Sequence, residues 1–157
     1  MQKILVSSCL HGEIVRFDAR DVACGDTHFE RWRNEGRLVH ICPEVIGGLN
    51  VPRPRARLTE GRVVADDGSS DGLDVTAEYE RGAKAALSLA RKYQIRIAIL
   101  KQDSPSCGTR FIFSPDFKRK ILGEGLTAKL LRENGISVFG EDQLDDAARW
   151  IEGAERG

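Results

Sequence analysis

The chain has 157 residues, of which 41% are hydrophobic and 31% charged, an ordinary balance for one soluble globular domain with a substantial core. Its 24 Lys and Arg are matched by 24 Asp and Glu, so the broad positive charge of a nucleic-acid binder is missing. No apolar run approaches the roughly 18 residues that span a membrane, and the apolar stretch in MQKILVSSCL is too short for a signal peptide.

The first element is a β-branched apolar strand, KILVS, at Lys3–Ser7. A loop with Gly12 and the charged VRFDARD follows. Thr27–Glu35 reads as a helix closed by Gly36, a residue suited to the position after a helix. RLVHI at Arg37–Ile41 is the next strand, and CPEVIGGLNVPRPRARL reads as a long Gly/Pro loop. ARLTEGRVVAD alternates about Glu60-Gly61 as a small hairpin, and DDGSSDG is a polar turn cluster. The clearest helix begins at Asp74 or Thr76, either of which can cap it. It carries Val75, Tyr79, Ala83, Ala86, Leu87, Ala90 and Tyr93 on one apolar face. IRIAIL at Ile95–Leu100 is a strand, and it ends in KQDSPSCGTR. RFIFSPDFKRKIL reads as a second hairpin with Ser114-Pro115-Asp116 at its turn. LTAKLLREN is a short helix ended by Gly135, and ISVF is a strand. DQLDDAARWIEGAE closes the chain as an amphipathic helix with Leu144, Ala147, Ala148 and Ile151 on one side. Strands alternating with helices predict an α/β fold. The expected architecture is a single Rossmann-like three-layer domain over residues 1–157, with a mostly parallel sheet, flanking helices and small β-hairpin insertions.

Three of the four cysteines follow a predicted strand: Cys9 after KILVS, Cys42 after LVHI and Cys107 after IAILK. Parallel strands end on one edge, where open α/β sheets bind ligands. Three thiols from three loops would then meet in one crevice. In a reducing, cytoplasmic setting they point to metal binding or catalysis rather than disulfides. As isolated residues they would read as small buried hydrophobes. Cys24 lies in a loop before a helix and reads as a non-ligating thiol. Zinc usually shows C-x2-C or close Cys/His spacing; no C-x2-C occurs, and although His40 precedes Cys42 by two and would share its face on a strand, His11, His28 and His40 form no clear ligand spacing. Three cysteines suit an iron–sulfur cluster with one iron left open to substrate. Glu44, two residues past Cys42, is a candidate general acid/base. Ser104, three residues before Cys107, is a candidate proton relay; as a plain turn former it would bond local backbone. Ser106 and Ser8 are weaker candidates, and Lys101 is a cation at the strand end.

VSSCLHGEIVRFD, CPEVIGGLNVPRPRARL, GLDVTAEYERGAKAAL, AILKQDSPSCGTRFIF and GEGLTAKLLRENGISVF together resemble the bacterial thiouracil desulfidase (desulfurase) family. The resemblance runs from about Lys3 to Glu141, and its CPE…GG…PRP and LK…SPSCG motifs are specific. It implies a [4Fe-4S] cluster held by three cysteines, Cys9, Cys42 and Cys107, with one open iron. It also implies Glu44 and Ser104 as the acid/base pair. The implied reaction is hydrolytic and non-redox: a small thiolated base such as 2-thiouracil becomes the oxo base, with sulfide as the other product. Nucleic acid and membrane are not expected partners. The chain departs from the family pattern at ARDVACGDTHF, where a glycine-containing continuation is expected, and at Asn50, where proline is common. Two readings of other classes remain open at this point: a metal- or sulfur-binding module without turnover, and a thiol redox protein, which the absence of C-x-x-C weakens.

Overall fold

A computed structural model of the chain describes residues 1–12, 24–109, 111–114 and 118–156. Its centre is a four-stranded, all-parallel sheet. β1 (Ile4–Ser7) lies between β2 (Leu38–Ile41) and β6 (Ile97–Leu100), and β9 (Ser137–Gly140) flanks β6. The chain leaves β1 to one side, forms β2, and returns across β1 to form β6. The strand order therefore reverses at β1, the position where doubly wound sheets open a crevice at their carboxyl edge.

Side chains alternate across a strand, and both faces of this sheet are buried. Ile4, Val6, Ile97 and Ile99 face one side. There they pack on Leu10 from α1 (Ser8–His11), Phe29 and Trp32 from α2 (Thr27–Asn34), and Leu144, Ala147, Ala148 and Ile151 from α6 (Leu144–Arg156). Leu5, Ala98 and Leu100 face the other side. They meet Ala86, Leu87 and Ala90 from α4 (Thr76–Lys92) and Ala128 and Leu131 from α5 (Leu126–Glu133). The expected three layers are present. Every predicted strand and helix is found, shifted by a residue or two at its ends. Tyr93 departs from the expected buried face of α4: it follows the last helical turn and is exposed.

Both predicted hairpins form. β3 (Ala56–Thr59) pairs antiparallel with β4 (Arg62–Ala65), and the pair gains a short third strand, β5 (Leu73–Asp74). β7 (Phe111–Phe113) pairs antiparallel with β8 (Lys120–Leu122). Pro115 and Asp116 of its predicted turn, and the VRFDARD segment, lie outside the described residues. Two helical turns were not expected. α1 starts directly after β1, and α3 (Pro43–Ile46) opens the segment read as a long loop. Each is only four residues long, too short to show helical periodicity in sequence. No helix among the described residues is long and apolar enough to cross a membrane.

α3 is held to α4 by a backbone contact that glycine permits. A Cβ on Gly82 would lie 1.9 Å from the Pro43 carbonyl oxygen, and one on Gly47 would lie 2.0 Å from that of Glu78. Gly82→Ala must therefore separate the two helices. The expected loss is about 1–3 kcal/mol of folding free energy, the usual range for overpacking, read as a lower denaturant midpoint. Gly153→Ala, with no heavy atom within 4 Å of the new Cβ, serves as the control.

Asp74 anchors the start of α4. Its carboxylate accepts from the Thr76 N–H (2.9 Å) and from Arg62 Nε (2.8 Å). The Thr76 hydroxyl, then its backbone N–H, then Arg62 pull the carboxyl pKa down to about 2. A pKa depressed on folding stabilises above the unfolded value, near 3.9, and that contribution is lost as pH falls toward 2. Asp74→Asn should flatten the fall in melting temperature between about pH 4 and pH 2, leaving other causes of acid unfolding in place.

Candidate active site

The carboxyl edge of the sheet carries a cavity of about 100 Å³, lined by Cys9, Cys42 and Cys107 together with Glu44 and Ser104. Five sequence candidates from three chain segments thus meet in one place. Cys9 sits on α1, buried, and Cys42 is the half-buried residue that precedes α3. Cys42 and Cys107 lie outside helices and strands, as expected, but Cys9 does not: it stands on a helical turn that starts where its strand stops.

The Cys107 loop is tied at several points. Ser104 Oγ accepts the N–H groups of Ser106 (3.0 Å) and Cys107 (3.2 Å). Gln102 Oε1 accepts from the Thr109 N–H (3.1 Å) and closes the loop. The first N–H groups of a helix have no partner within it. In α5 the Leu126 and Thr127 N–H groups donate to the carbonyls of Pro105 and Ser106, both at 2.9 Å, and the Gly125 N–H just before them donates to Gly108 (2.8 Å). Gly125 makes this approach possible, since a Cβ there would lie 2.4 Å from the Ser106 carbonyl. Ser106 is fully buried with its hydroxyl 2.7 Å from that of Thr127. It holds the loop and does not line the cavity. Asp103 has a φ of +74°, a conformation that Asp tolerates better than most residues, and it turns the chain out of the sheet into this loop.

The Ser104 hydroxyl donates to Glu44 Oε1 at 3.0 Å. The other carboxylate oxygen, Oε2, accepts from Arg53 through Nη2 (2.6 Å) and Nε (3.1 Å). Tyr79, almost fully buried, lines the same cavity and feels the Glu44 charge. Burial, and then the Glu44 charge, drive the Tyr79 phenol pKa far up, so it stays protonated. Burial works against the Arg53 cation, but the Glu44 carboxylate outweighs it and raises the guanidinium pKa. Burial likewise pushes the Cys107 thiol up, opposed by a hydrogen bond to Ser7 and reinforced by Glu44, Cys9 and Cys42. Cys42 is raised by burial and then by Glu44. Before metal binding these sulfurs are thiols, and a metal must displace their protons.

No described group of three or more His, Cys, Asp or Glu is spaced to hold a single metal ion. A four-iron cluster is broader than one ion and spreads its ligands further apart. The donor set suits it: three soft sulfurs converge from three strand ends, none disulfide-bonded, and no imidazole accompanies them in the lining. His40 and His11 stack on each other at 4.5 Å, and His40 Nδ1 lies 3.0 Å from Ser8 Oγ. His28 pairs with Asp145.

A family model for 2-thiouracil desulfurases matches residues 4–143. The chain belongs to the 2-thiouracil desulfurase family. It is similar to the uncharacterized protein YbbK of Bacillus subtilis (strain 168), with 37% identity over 150 residues that cover 91% of this chain and 98% of that one. It is also similar to the solved structure of a [4Fe-4S]-dependent thiouracil desulfidase, TudS. That match has a TM-score of 0.92 and 44% identity, and covers 97% of this chain and 99% of the other.

Other residues of this desulfurase family member take positions that the sequence alone did not specify. Lys101 lines the cavity, but its ammonium pairs with Glu141 at 2.8 Å, which also accepts the Gln102 N–H (2.7 Å). Its charge is spent on the loop. Cys24 is not part of the cavity lining; it packs against the core on the α2 and α6 side. Arg53 and Tyr79 were missed as site residues. Arg53 lies inside the PRP motif, where only the prolines stood out. Tyr79 was read correctly as part of the buried face of α4, with no sign that it lines the cavity with Glu44.

Proposed function

We propose that this chain hydrolyses the carbon–sulfur bond of a small thiolated nucleobase such as 2-thiouracil, using a [4Fe-4S] cluster held by Cys9, Cys42 and Cys107 with one iron left open. Family membership supports the reaction. The observation that carries the assignment of residues is the hydrogen-bonded pair Ser104–Glu44 in the same cavity as the three thiols. The reaction exchanges sulfur for the oxygen of water at one carbon, so no electrons are gained or lost. When bound, the cluster supplies a soft Lewis-acidic iron that draws electron density from the thiocarbonyl.

The protein's own groups handle the protons. Glu44, oriented by Arg53, accepts a proton from the attacking water. Ser104, whose oxygen is fixed by two backbone N–H groups, passes a proton between Glu44 and the base. Beside these groups the lining offers Ile41, Pro43, Pro54 and Pro105 as an apolar surface on which a planar ring can pack, as pockets for small ligands usually do. The partner is a free small molecule rather than nucleic acid, and the setting is a reducing cytoplasm in which the thiols stay available. A carrier of metal or sulfur without turnover has no need of the Ser104–Glu44 pair.

The test is anaerobic reconstitution with iron and sulfide, followed by addition of 2-thiouracil. Broad visible absorbance, loss of the thione band and release of uracil are expected together. Cys107→Ala should lose the cluster. Glu44→Gln should keep it and lose about 10²–10⁴-fold in rate, the range for removing an acid/base group. A loaded cluster that leaves 2-thiouracil intact would overturn the substrate, and a chain that binds no iron would overturn the whole reading.

Ser104→Ala probes the relay separately. It removes both the proton path and the acceptor for the Ser106 and Cys107 N–H groups. Turnover per loaded cluster should fall by at least about tenfold, with some loss of cluster retention measured as iron per chain.

A further inference from the structure

We propose that Arg53 is a positioning residue for the desulfurase reaction: it clamps Glu44 so that one carboxylate oxygen is occupied and the other is left facing Ser104. This deepens the function proposed above and rests on it.

The hydrogen bonds carry the argument. Arg53 directs Nε and Nη2 onto the same oxygen, Oε2, and directs Nη1 to the Asn50 carbonyl at 3.0 Å. Glu44 Oε2 thus faces a planar donor fork anchored at its far side to the backbone. Oε1 remains for the Ser104 hydroxyl. Both partners are withdrawn from water, with side chains 7% and 14% exposed. A buried pair of this kind contributes little net stability, because desolvation offsets the attraction. It does fix geometry. Glu44 sits in the first turn of a four-residue helix, whose short backbone offers little to restrain a glutamate's rotatable bonds. The clamp supplies that restraint from the next segment of chain. Lysine cannot reproduce it, since a single ammonium on a flexible stem lacks the rigid fork.

Arg53→Lys keeps the charge and removes the fork. Its kcat per loaded cluster should fall by about 10²-fold, as expected when a catalytic group is displaced by about 1 Å. KM should move little, because the effect falls on the reacting geometry. Combining it with Glu44→Gln should slow the enzyme no further than Glu44→Gln alone, since both changes remove the same function. Rates that multiply in the double variant would overturn the inference, as would an unchanged kcat or a rise in KM alone, which would make Arg53 a substrate contact.

A second readout needs no turnover. In the cluster-free chain, the losses in denaturant midpoint from Glu44→Gln and Arg53→Lys should be strongly non-additive; additive losses would dissolve the clamp. If wild-type protein leaves 2-thiouracil untouched, the proposed activity fails, and this stability cycle alone decides whether the clamp exists.

Discussion

The site depends on one constraint: β1 pairs in parallel with a strand on each side. Ser7 stands opposite Ile41, and Val6 stands opposite both His40 and Ile99. Once these registers are set, the residues that follow three strands must emerge side by side, although Cys9 and Cys107 are nearly a hundred positions apart. The entropy of closing such long loops grows only slowly with their length, so remote cysteines cost little more to assemble than near ones. What holds the register is burial on both faces. A slip of one residue would exchange Ile4 and Val6 with Leu5 and misfit both layers at once. The placement of the three cysteines is therefore inherited from the packing of an apolar sheet.

Charge is added to this scaffold sparingly. Arg53 and Glu44 neutralise each other, as do Lys101 and Glu141. The first pair fixes the orientation of Glu44. The second ties the start of the Cys107 loop to the end of β9. Neither leaves an uncompensated ion against the thiols. That balance matters because thiolates bound to iron would themselves be anionic, and a stray carboxylate nearby would oppose their deprotonation. Glu44 is that carboxylate, and Arg53 is its answer.

Legibility in the sequence followed pattern length. Strands of alternating or continuous apolar residues, and helices of eight or more, announced themselves, and with them the shared edge on which the cysteines meet. The four-residue helices α1 and α3 had no room for a period. Sequence reasoning therefore placed Cys9 and Cys42 near the right point while missing the helical turn that carries the first and the one that follows the second. Glu44 and Ser104 were found because they neighbour cysteines along the chain. Arg53 and Tyr79 reach Glu44 only through space, one from a proline-rich connection and the other from a helix whose pattern spoke solely of burial. Lys101 illustrates the converse. Its place beside the cysteine motif suggested a free cation, and only the arrival of β9 in space reveals Glu141 as its partner. His40 was similar, with alternation suggesting a face shared with Cys42, whereas its ring turns to His11 and Ser8.

The division of labour between core and site also bears on how the cofactor relates to folding. Small metal domains often have too little apolar interior to fold without their ion. Here the two faces of the sheet bury separate clusters built from Ile, Leu, Val, Phe, Trp and Ala, to which Cys9 and Cys107 contribute one side chain each. The loop bearing Cys107 is closed by its own hydrogen bonds and by the amide groups at the start of α5, and Glu44 is held by Arg53. Each of these residues is thus positioned by contacts within the chain itself. Under the proposed function, a bound cluster would spend its free energy on displacing thiol protons rather than on ordering the chain, with Glu44 and Ser104 already in place beside it.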